Sequence, residues 1–283
     1  MLGRRVEISK KIFLSQLRDL YTSLSRQTSL NTANPQSASR QLFNQLIGPI
    51  APLLEARGVT SLLIAADRGL QAVPFAALHD GSRFFGDRYG FSITPSLALT
   101  NLSSTNLSLT NLSSTVSTGQ DLLVAGASKF DGLAPLPLVP QELQSINGKS
   151  TGSNIFLNRD FTADVLLEKI GDPSSELGFA GLAVQAGARS AAGTLWYVDD
   201  VASSAYFEQM YHYLNQGVPK AEALKLTRQA FIRGLVRLEG DQVLGPDGSV
   251  LLQKLNRVQQ QRVQDGLGNP YFWAGIELVG SPW

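Results

Sequence analysis

The chain has 283 residues, with 24 Lys and Arg against 23 Asp and Glu, which gives a formal net charge of +1. It contains no cysteine and only two histidines, His79 and His212. These counts exclude disulfide bonds, a thiolate nucleophile, Cys-ligated metals and a three-His metal site. The near-neutral charge argues against a nucleic acid partner. We therefore expect no metal, no small-molecule cofactor and no nucleic acid partner.

The sequence offers no sign of a membrane segment. No unbroken apolar stretch reaches the length of a membrane span, and the first residues lack the apolar region of a signal peptide. Hydrophobic residues make up 43% of the chain, which is enough for a sizeable core. The sequence predicts a cytoplasmic protein without a membrane span.

The N-terminal part has helical periodicity. Residues 4–26 place apolar side chains at mostly helical spacing and predict an amphipathic helix. A second helical pattern follows, and Pro49 and Pro52 are expected to kink or divide it. We predict an N-terminal helical segment, residues 1–58, that packs on a domain formed by residues 59–283.

Beyond this segment, short apolar runs alternate with helical patterns, and each run is bounded by turn residues, as is typical of buried strands. The predicted strands are 61–66, 90–94, 121–128, 188–196 and 271–280. The predicted helices are 161–170, 176–187, 200–216, 219–237 and 249–264. The alternation predicts an α/β fold with a mostly parallel central sheet flanked by helices. We expect four of the runs to share that sheet: 61–66, 121–128, 188–196 and 272–279.

A low-complexity stretch interrupts this pattern. The units TNLSS, TNLSL and TNLSS repeat in succession over residues 100–114. They are similar to the pentapeptide repeats of a β-helix, but three copies are too few to bury the core of a solenoid. We interpret residues 100–118 as a polar loop.

The two histidines are weak candidates for catalysis. His79 lies in a turn beside Asp80 and could act as a general base. No nucleophile pattern such as Gly-x-Ser-x-Gly lies nearby, so a turn-stabilising role is the better interpretation. His212 lies in a predicted amphipathic helix, where a surface or packing role is expected. We assign no catalytic residue.

The best candidate for a contact site follows the predicted strand 188–196. Asp199 and Asp200 come shortly after Trp196, at the carboxyl end of that strand. Carboxylates in this position can cap the next helix, where negative charge meets the helix dipole, and this is the main interpretation. They could also bind a basic side chain at the carboxyl edge of the sheet, where α/β proteins bind ligands. Trp196, Asp199 and Asp200 are therefore a possible edge for contact with a peptide or a protein partner.

One block of the chain reads LLIAADRGLQAVPFAALHDGSRFFGDRYGFSITPSLALT, and a later block contains LWYVDD and GVPKAEAL. With three further blocks, they resemble the CHAT domain, a caspase-like domain that often follows tetratricopeptide repeats and is abundant in cyanobacteria. In family order, the blocks are 62–100, 122–143, 157–162, 177–231 and 269–280. The resemblance extends from Val6 to Trp283 and implies a caspase-like sandwich.

The resemblance also shows what this chain lacks. Active members carry a His-Gly motif after one central strand and a Cys after the next. Here Thr162 is followed by ADVLLEKI and then by the Gly-Asp pair that follows the cysteine strand in the family. A segment with both strands and both catalytic residues is thus missing between Ile170 and Gly171. His79 belongs to the opening block and cannot replace the family's histidine.

Three functions follow from the resemblance. If the chain is translated as it stands, it is a non-catalytic CHAT-fold protein that acts through protein–protein contact. If a catalytic segment is missing from these 283 residues, the protein is a caspase-like cysteine endopeptidase. A third function is that of a structural subunit in a larger cyanobacterial assembly.

A distance distinguishes a protein that has lost the catalytic segment from a longer protein in which that segment is absent only from these 283 residues. In a continuous chain the Cα atoms of Ile170 and Gly171 lie about 3.8 Å apart. Loss of two central strands would also leave runs 121–128 and 188–196 to pair directly. The well-preserved blocks on either side of the junction favour a missing segment.

Overall fold

The structure is a computed structural model. It describes residues 8–27, 30–66, 69–94, 123–126, 137–138, 140–141, 144, 154–157, 180–181, 184 and 188–283, with the backbone alone for 123–126 and 154–157. Several predictions fall outside these ranges: the loop 100–118, the helix 161–170, and the junction between Ile170 and Gly171.

The N-terminal part forms three helices: α1 (Lys10–Ser25), α2 (Ala38–Leu46) and α3 (Ala51–Ala56). The break between α2 and α3 contains Pro49, and Pro52 lies in the first turn of α3, so the predicted division at the prolines is confirmed. Apolar side chains of α1 and α2 belong to the same hydrophobic cluster as the side chains of the central sheet. The domain boundary at residue 58 stays a prediction.

The described strands, in chain order, are β1 (Ser61–Ala65), β2 (Gly90–Thr94), β3 (Leu123–Gly126), β4 (Asn154–Leu157), β5 (Ser190–Thr194), β6 (Arg237–Glu239), β7 (Gln242–Leu244), β8 (Val250–Leu252) and β9 (Ile276–Gly280). Four of them form the central sheet, in the order β1-β2-β9-β5. β1 and β2 are parallel, β2 and β9 are parallel, and β5 is antiparallel to β9. The predicted mostly parallel α/β sheet is therefore confirmed.

One part of the sheet prediction is wrong, and another is not confirmed. Run 121–128 supplies β3, which pairs in parallel with β4 in a separate two-stranded sheet and not with the central one. The caspase-like sandwich is not confirmed, because β6, β7 and β8 form an antiparallel sheet. Run 121–128 was predicted to lie in the central sheet from its apolar character alone. That character indicates a buried strand but does not specify which strand it pairs with.

The remaining described helices are α4 (Phe85–Arg88), α5 (Asp200–Asn215), α6 (Lys220–Ile232) and α7 (Arg257–Val263), with 3₁₀ turns at Phe75–Ala77 and Pro270–Phe272. The predicted helices 200–216 and 219–237 correspond to α5 and α6, although α6 ends five residues early. The predicted helix 249–264 is wrong before Arg257, because the chain there contains β8 and a short non-helical segment. Of the predicted helix 176–187, residues 180, 181 and 184 are described, and they are helical.

The core lies between the central sheet and these helices. Trp273, Tyr206 and Phe91 are among its largest fully buried side chains, and Phe91 projects from β2. The buried Arg228 of α6 lies against the ring of Phe91, with its guanidinium carbon 4.6 Å from the ring centre. Among the described helices, none is both long enough and apolar enough to cross a membrane.

Candidate contact site at the end of strand β5

The candidate site begins where β5 leaves the sheet. Leu195 still donates a backbone hydrogen bond to Gly275, over 2.9 Å, which continues the ladder with the segment before β9. The next residue, Trp196, is half-buried: its indole nitrogen donates to the Tyr271 carbonyl over 3.1 Å, and its ring meets Tyr21 edge to face at 5.9 Å. Trp196 is thus held inward by the core and helix α1.

Gly275 makes this position of Trp196 possible. A Cβ atom at residue 275 would lie 2.6 Å from Cε2 of the indole, closer than carbon atoms approach one another. A side chain at residue 275 would therefore displace the indole from this position.

Tyr197 is the exposed aromatic side chain of the site, with 57% of its surface accessible. Its backbone is fixed, because its carbonyl accepts a hydrogen bond from the Tyr271 hydroxyl over 3.1 Å. An exposed aromatic ring on a fixed backbone is a typical contact residue in protein interfaces. The sequence analysis did not single out Tyr197, because the LWYVDD block does not show which of its side chains face solvent.

Asp199 caps helix α5. Its Oδ1 accepts hydrogen bonds from the backbone N–H groups of Val201 at 2.9 Å and Ala202 at 3.0 Å. The structure therefore shows the helix cap that was the main interpretation of this residue, and such caps contribute about 1 kcal/mol to stability. The other oxygen, Oδ2, lies 4.0 Å from the Arg262 guanidinium of helix α7.

Asp200 is almost completely buried, with 2% of its surface exposed. One carboxylate oxygen accepts a hydrogen bond from the Leu138 N–H over 3.2 Å, and the other has no partner. Burial raises the pKa of Asp200, and the charge of Asp199 adds to this, whereas Leu138 and Arg262 act in the opposite direction. An acidic residue held in this way favours a nearby positive charge.

Arg262 supplies part of that charge from within the molecule. It lies 63 positions beyond Asp199 in the sequence, on a different helix, and 45% of its side chain is exposed. A contact between such distant positions could not be predicted from spacing.

The three predicted site residues lie in one short segment, in which Trp196 faces the core, Asp199 caps a helix and Asp200 is buried. In the part of the chain that the structure describes, no three His, Asp or Glu side chains cluster as a metal site requires.

Both histidines have structural partners. His79 is buried, its Nδ1 accepts a hydrogen bond from Gly81 N–H over 2.9 Å, and its ring packs on Phe84 at 4.6 Å. Burial lowers the pKa of His79. His212 lies on the partly exposed side of α5, where its Nε2 is 3.3 Å from the Asp247 carboxylate. The geometry agrees with the turn-stabilising role of His79 and the surface role of His212.

Comparisons with known proteins and family models identify the family of this chain. Neither the curated proteins nor the solved structures include a match to this chain. The family model described as the CHAT domain matches residues 36–175 and again residues 168–281. The two matches meet at the position where the sequence analysis places the missing segment. Together they span most of the sequence, and the chain belongs to the CHAT domain family.

Proposed function

We propose that this CHAT-domain protein acts in the cytoplasm without peptidase chemistry, through contact with a protein partner. The observation that carries the proposal is the absence of any thiol from the 283 residues. The nucleophile of a cysteine peptidase is a thiolate, and it needs a base within hydrogen-bond reach. His79 cannot serve as that base, because it is buried in a turn with its Nδ1 occupied.

The candidate contact surface is the segment from Trp196 to Asp200. It exposes the Tyr197 ring, whereas the carboxylates of Asp199 and Asp200 are buried and that of Asp199 lies near the partly exposed Arg262. This combination suits a partner surface that presents an apolar group to Tyr197. The partner could be another subunit of a larger assembly, which is the structural role considered above.

Two observations favour the alternative, a cysteine endopeptidase whose catalytic segment is missing from these 283 residues. The family model matches in two pieces that overlap at residues 168–175, and β5 does not pair with β3. Both facts are what a missing pair of central strands would produce. The intact mass of the native protein separates the two functions, because 30.5 kDa corresponds to this chain and a clearly larger mass to a longer one.

We predict that the purified 283-residue chain cleaves no peptide, whatever residue precedes the scissile bond. A mixture-based peptide library followed by mass spectrometry measures this directly, and a thiol-directed probe should leave the protein unlabelled. Reproducible cleavage that disappears on replacement of a single residue of this chain would overturn the non-catalytic function.

We predict that Tyr197→Ser weakens binding of the partner by on the order of tenfold, because an aromatic residue at the centre of an interface commonly contributes more than 1 kcal/mol. Binding can be measured by interferometry with the partner recovered by in-cell cross-linking. Trp283→Ser is the matched control, since Trp283 is similarly exposed at 50%. β5 and β9 are antiparallel, so Trp283 lies beyond the opposite end of β5. Equal losses in both variants would remove this segment from the interface.

A further inference from the structure

Among the described residues, β5 is an edge strand of the central sheet. β5 pairs with β9 on one side, and within the described residues no strand pairs with its other side. Every other described strand is already hydrogen-bonded elsewhere, in β1-β2-β9, in β3-β4 or in β6-β7-β8. The place beside β5 is therefore not filled by any of the described strands.

The pattern of the β5–β9 ladder shows which backbone groups face outward. Leu195 N–H donates to Gly275 and the Arg189 carbonyl accepts from Ser281, so the odd-numbered residues of this segment bond to the β9 side. In an antiparallel ladder the hydrogen-bonding direction alternates from residue to residue. The N–H and C=O groups of Ser190, Ala192 and Thr194 consequently point to the open edge.

This edge lacks the features that normally protect edge strands. The sequence SAAGT has no proline and no charged residue, and its ladder with β9 runs through five consecutive pairs without a bulge. Its side chains are small, and those of Ala192 and Thr194 are exposed. One face is apolar, because Ala191 packs with Ala180, Val184 and Val279. The edge can therefore be approached closely by another backbone.

The size of the edge limits what can occupy it. A stable interface between folded proteins takes about 20–30 residues from each partner, whereas β5 offers five. A second copy of the chain held by this edge alone would form a weak dimer. An extended segment of similar length matches the edge, because strand addition takes its affinity from main-chain hydrogen bonds.

We propose that the open edge of β5 is a strand-acceptor site, which binds an extended, uncharged segment of a partner protein through the backbone groups of Ser190, Ala192 and Thr194. Side chains of the added strand that project to the Ala180 and Val184 side are apolar, and alternate ones face solvent. This inference rests on the proposed interaction function and names the form of the partner.

The test uses the full chain and a library of phage-displayed random twelve-residue linear peptides. Peptides are selected on the wild-type protein and counter-selected on Ala192→Pro. Proline removes the outward N–H of residue 192 and takes no hydrogen bond from β9, a substitution that edge strands tolerate. We expect enriched peptides with alternating apolar residues, which bind Ala192→Pro on the order of tenfold more weakly than wild type. Ala192→Val changes the side chain, keeps the N–H and should bind normally.

Amide hydrogen exchange gives a second measurement that does not depend on folding of the proline variant. The amides of Ala192 and Thr194 should exchange fast in the free protein and slowly in the peptide complex. Thr194→Pro provides a second blocking variant if Ala192→Pro unfolds. The proposal is overturned by a library without binders, by equal binding to the proline variants, by protected amides in the free protein or by a dimer that Ala192→Pro dissociates. A partner whose binding depends on Tyr197 but not on Ala192 would leave the proposed function intact and remove the strand-acceptor site.

Discussion

Replacement of Trp273 by alanine should lower the free energy of unfolding by about 3–5 kcal/mol, the usual loss for a large aromatic side chain in a core. Trp273 has no exposed surface, and its ring meets Phe84 edge to face at 5.1 Å. Its indole N–H donates to the Gly268 carbonyl over 3.0 Å, so the variant would leave a cavity and break a partly buried hydrogen bond. Urea denaturation followed by circular dichroism measures the change.

The control for Trp273→Ala is Trp283→Ala, which removes the same side chain from a half-exposed position and should change stability by less than about 1 kcal/mol. The position of Trp273 also makes it relevant to the contact site. It follows the 3₁₀ turn Pro270–Phe272, and Tyr271 in that turn holds both Trp196 and Tyr197 by hydrogen bonds. Equal losses of stability in both tryptophan variants would show that the residue 273 environment is not a packed core.

Much of the central sheet could be predicted from the sequence, because buried strands leave a local signal. Runs 61–66, 90–94 and 188–196 each proved to be strands, with ends within two residues of the predicted ones. Run 90–94 was not among the four runs expected to share the central sheet, but it lies in that sheet between β1 and β9. Run 271–280 was predicted as a strand throughout, but its first residues form a 3₁₀ turn that begins at Pro270. Asn269 caps this turn by accepting from the Tyr271 N–H, which is a local signal that apolar periodicity does not include.

The hairpin sheet of β6, β7 and β8 was missed for a different reason. The turn from Glu239 to Gln242 contains Gly240, which has a φ of +61°, and the next turn contains Gly248 with a φ of +80°. Glycine in the left-handed region between two short alternating runs is the usual sign of a hairpin. The strands have only three residues each, and a helical pattern was extended over the third of them.

The candidate site also combines features that the local sequence predicts with features that it does not. The helix cap at Asp199 was predictable, since a cap is a local arrangement of an acidic residue and the next turn. The exposure of Tyr197, the inward position of Trp196 and the approach of Arg262 depend on how distant segments pack. The burial of Glu277, an acidic residue within the apolar run IELVG of strand β9, likewise depends on packing between distant segments.

Glu277 is the buried acid of this core. It lies on β9 opposite Gly193 of β5, is only 4% exposed and has one oxygen without a partner. Burial raises its pKa to about 8, while the charge of Arg228 and a hydrogen bond from the Phe75 backbone act in the opposite direction. Arg228 donates to the Ile276 carbonyl over 2.8 Å, and the described structure contains no ion pair between it and Glu277. Burial raises the pKa of Tyr21 of α1, and the charge of Glu277 adds to this.

Glu277→Gln should therefore remove most of a pH dependence of stability. The pKa of Glu277 rises from 4.5 in the unfolded chain to about 8 in the folded protein, so the folded state binds the proton more tightly. Its contribution is fully present below pH 4.5 and is lost progressively as the pH rises to 8, by on the order of 4 kcal/mol in total. We expect wild type and Glu277→Gln to have similar unfolding free energies at pH 4.5, and the variant to be the more stable protein at pH 8.

Urea denaturation at several pH values measures both unfolding free energies. Glu239→Gln, at an exposed position, is the matched control and should follow wild type. Parallel pH profiles for wild type and Glu277→Gln would mean that Glu277 is ionised in the folded protein at neutral pH, as a carboxylate neutralised by Arg228.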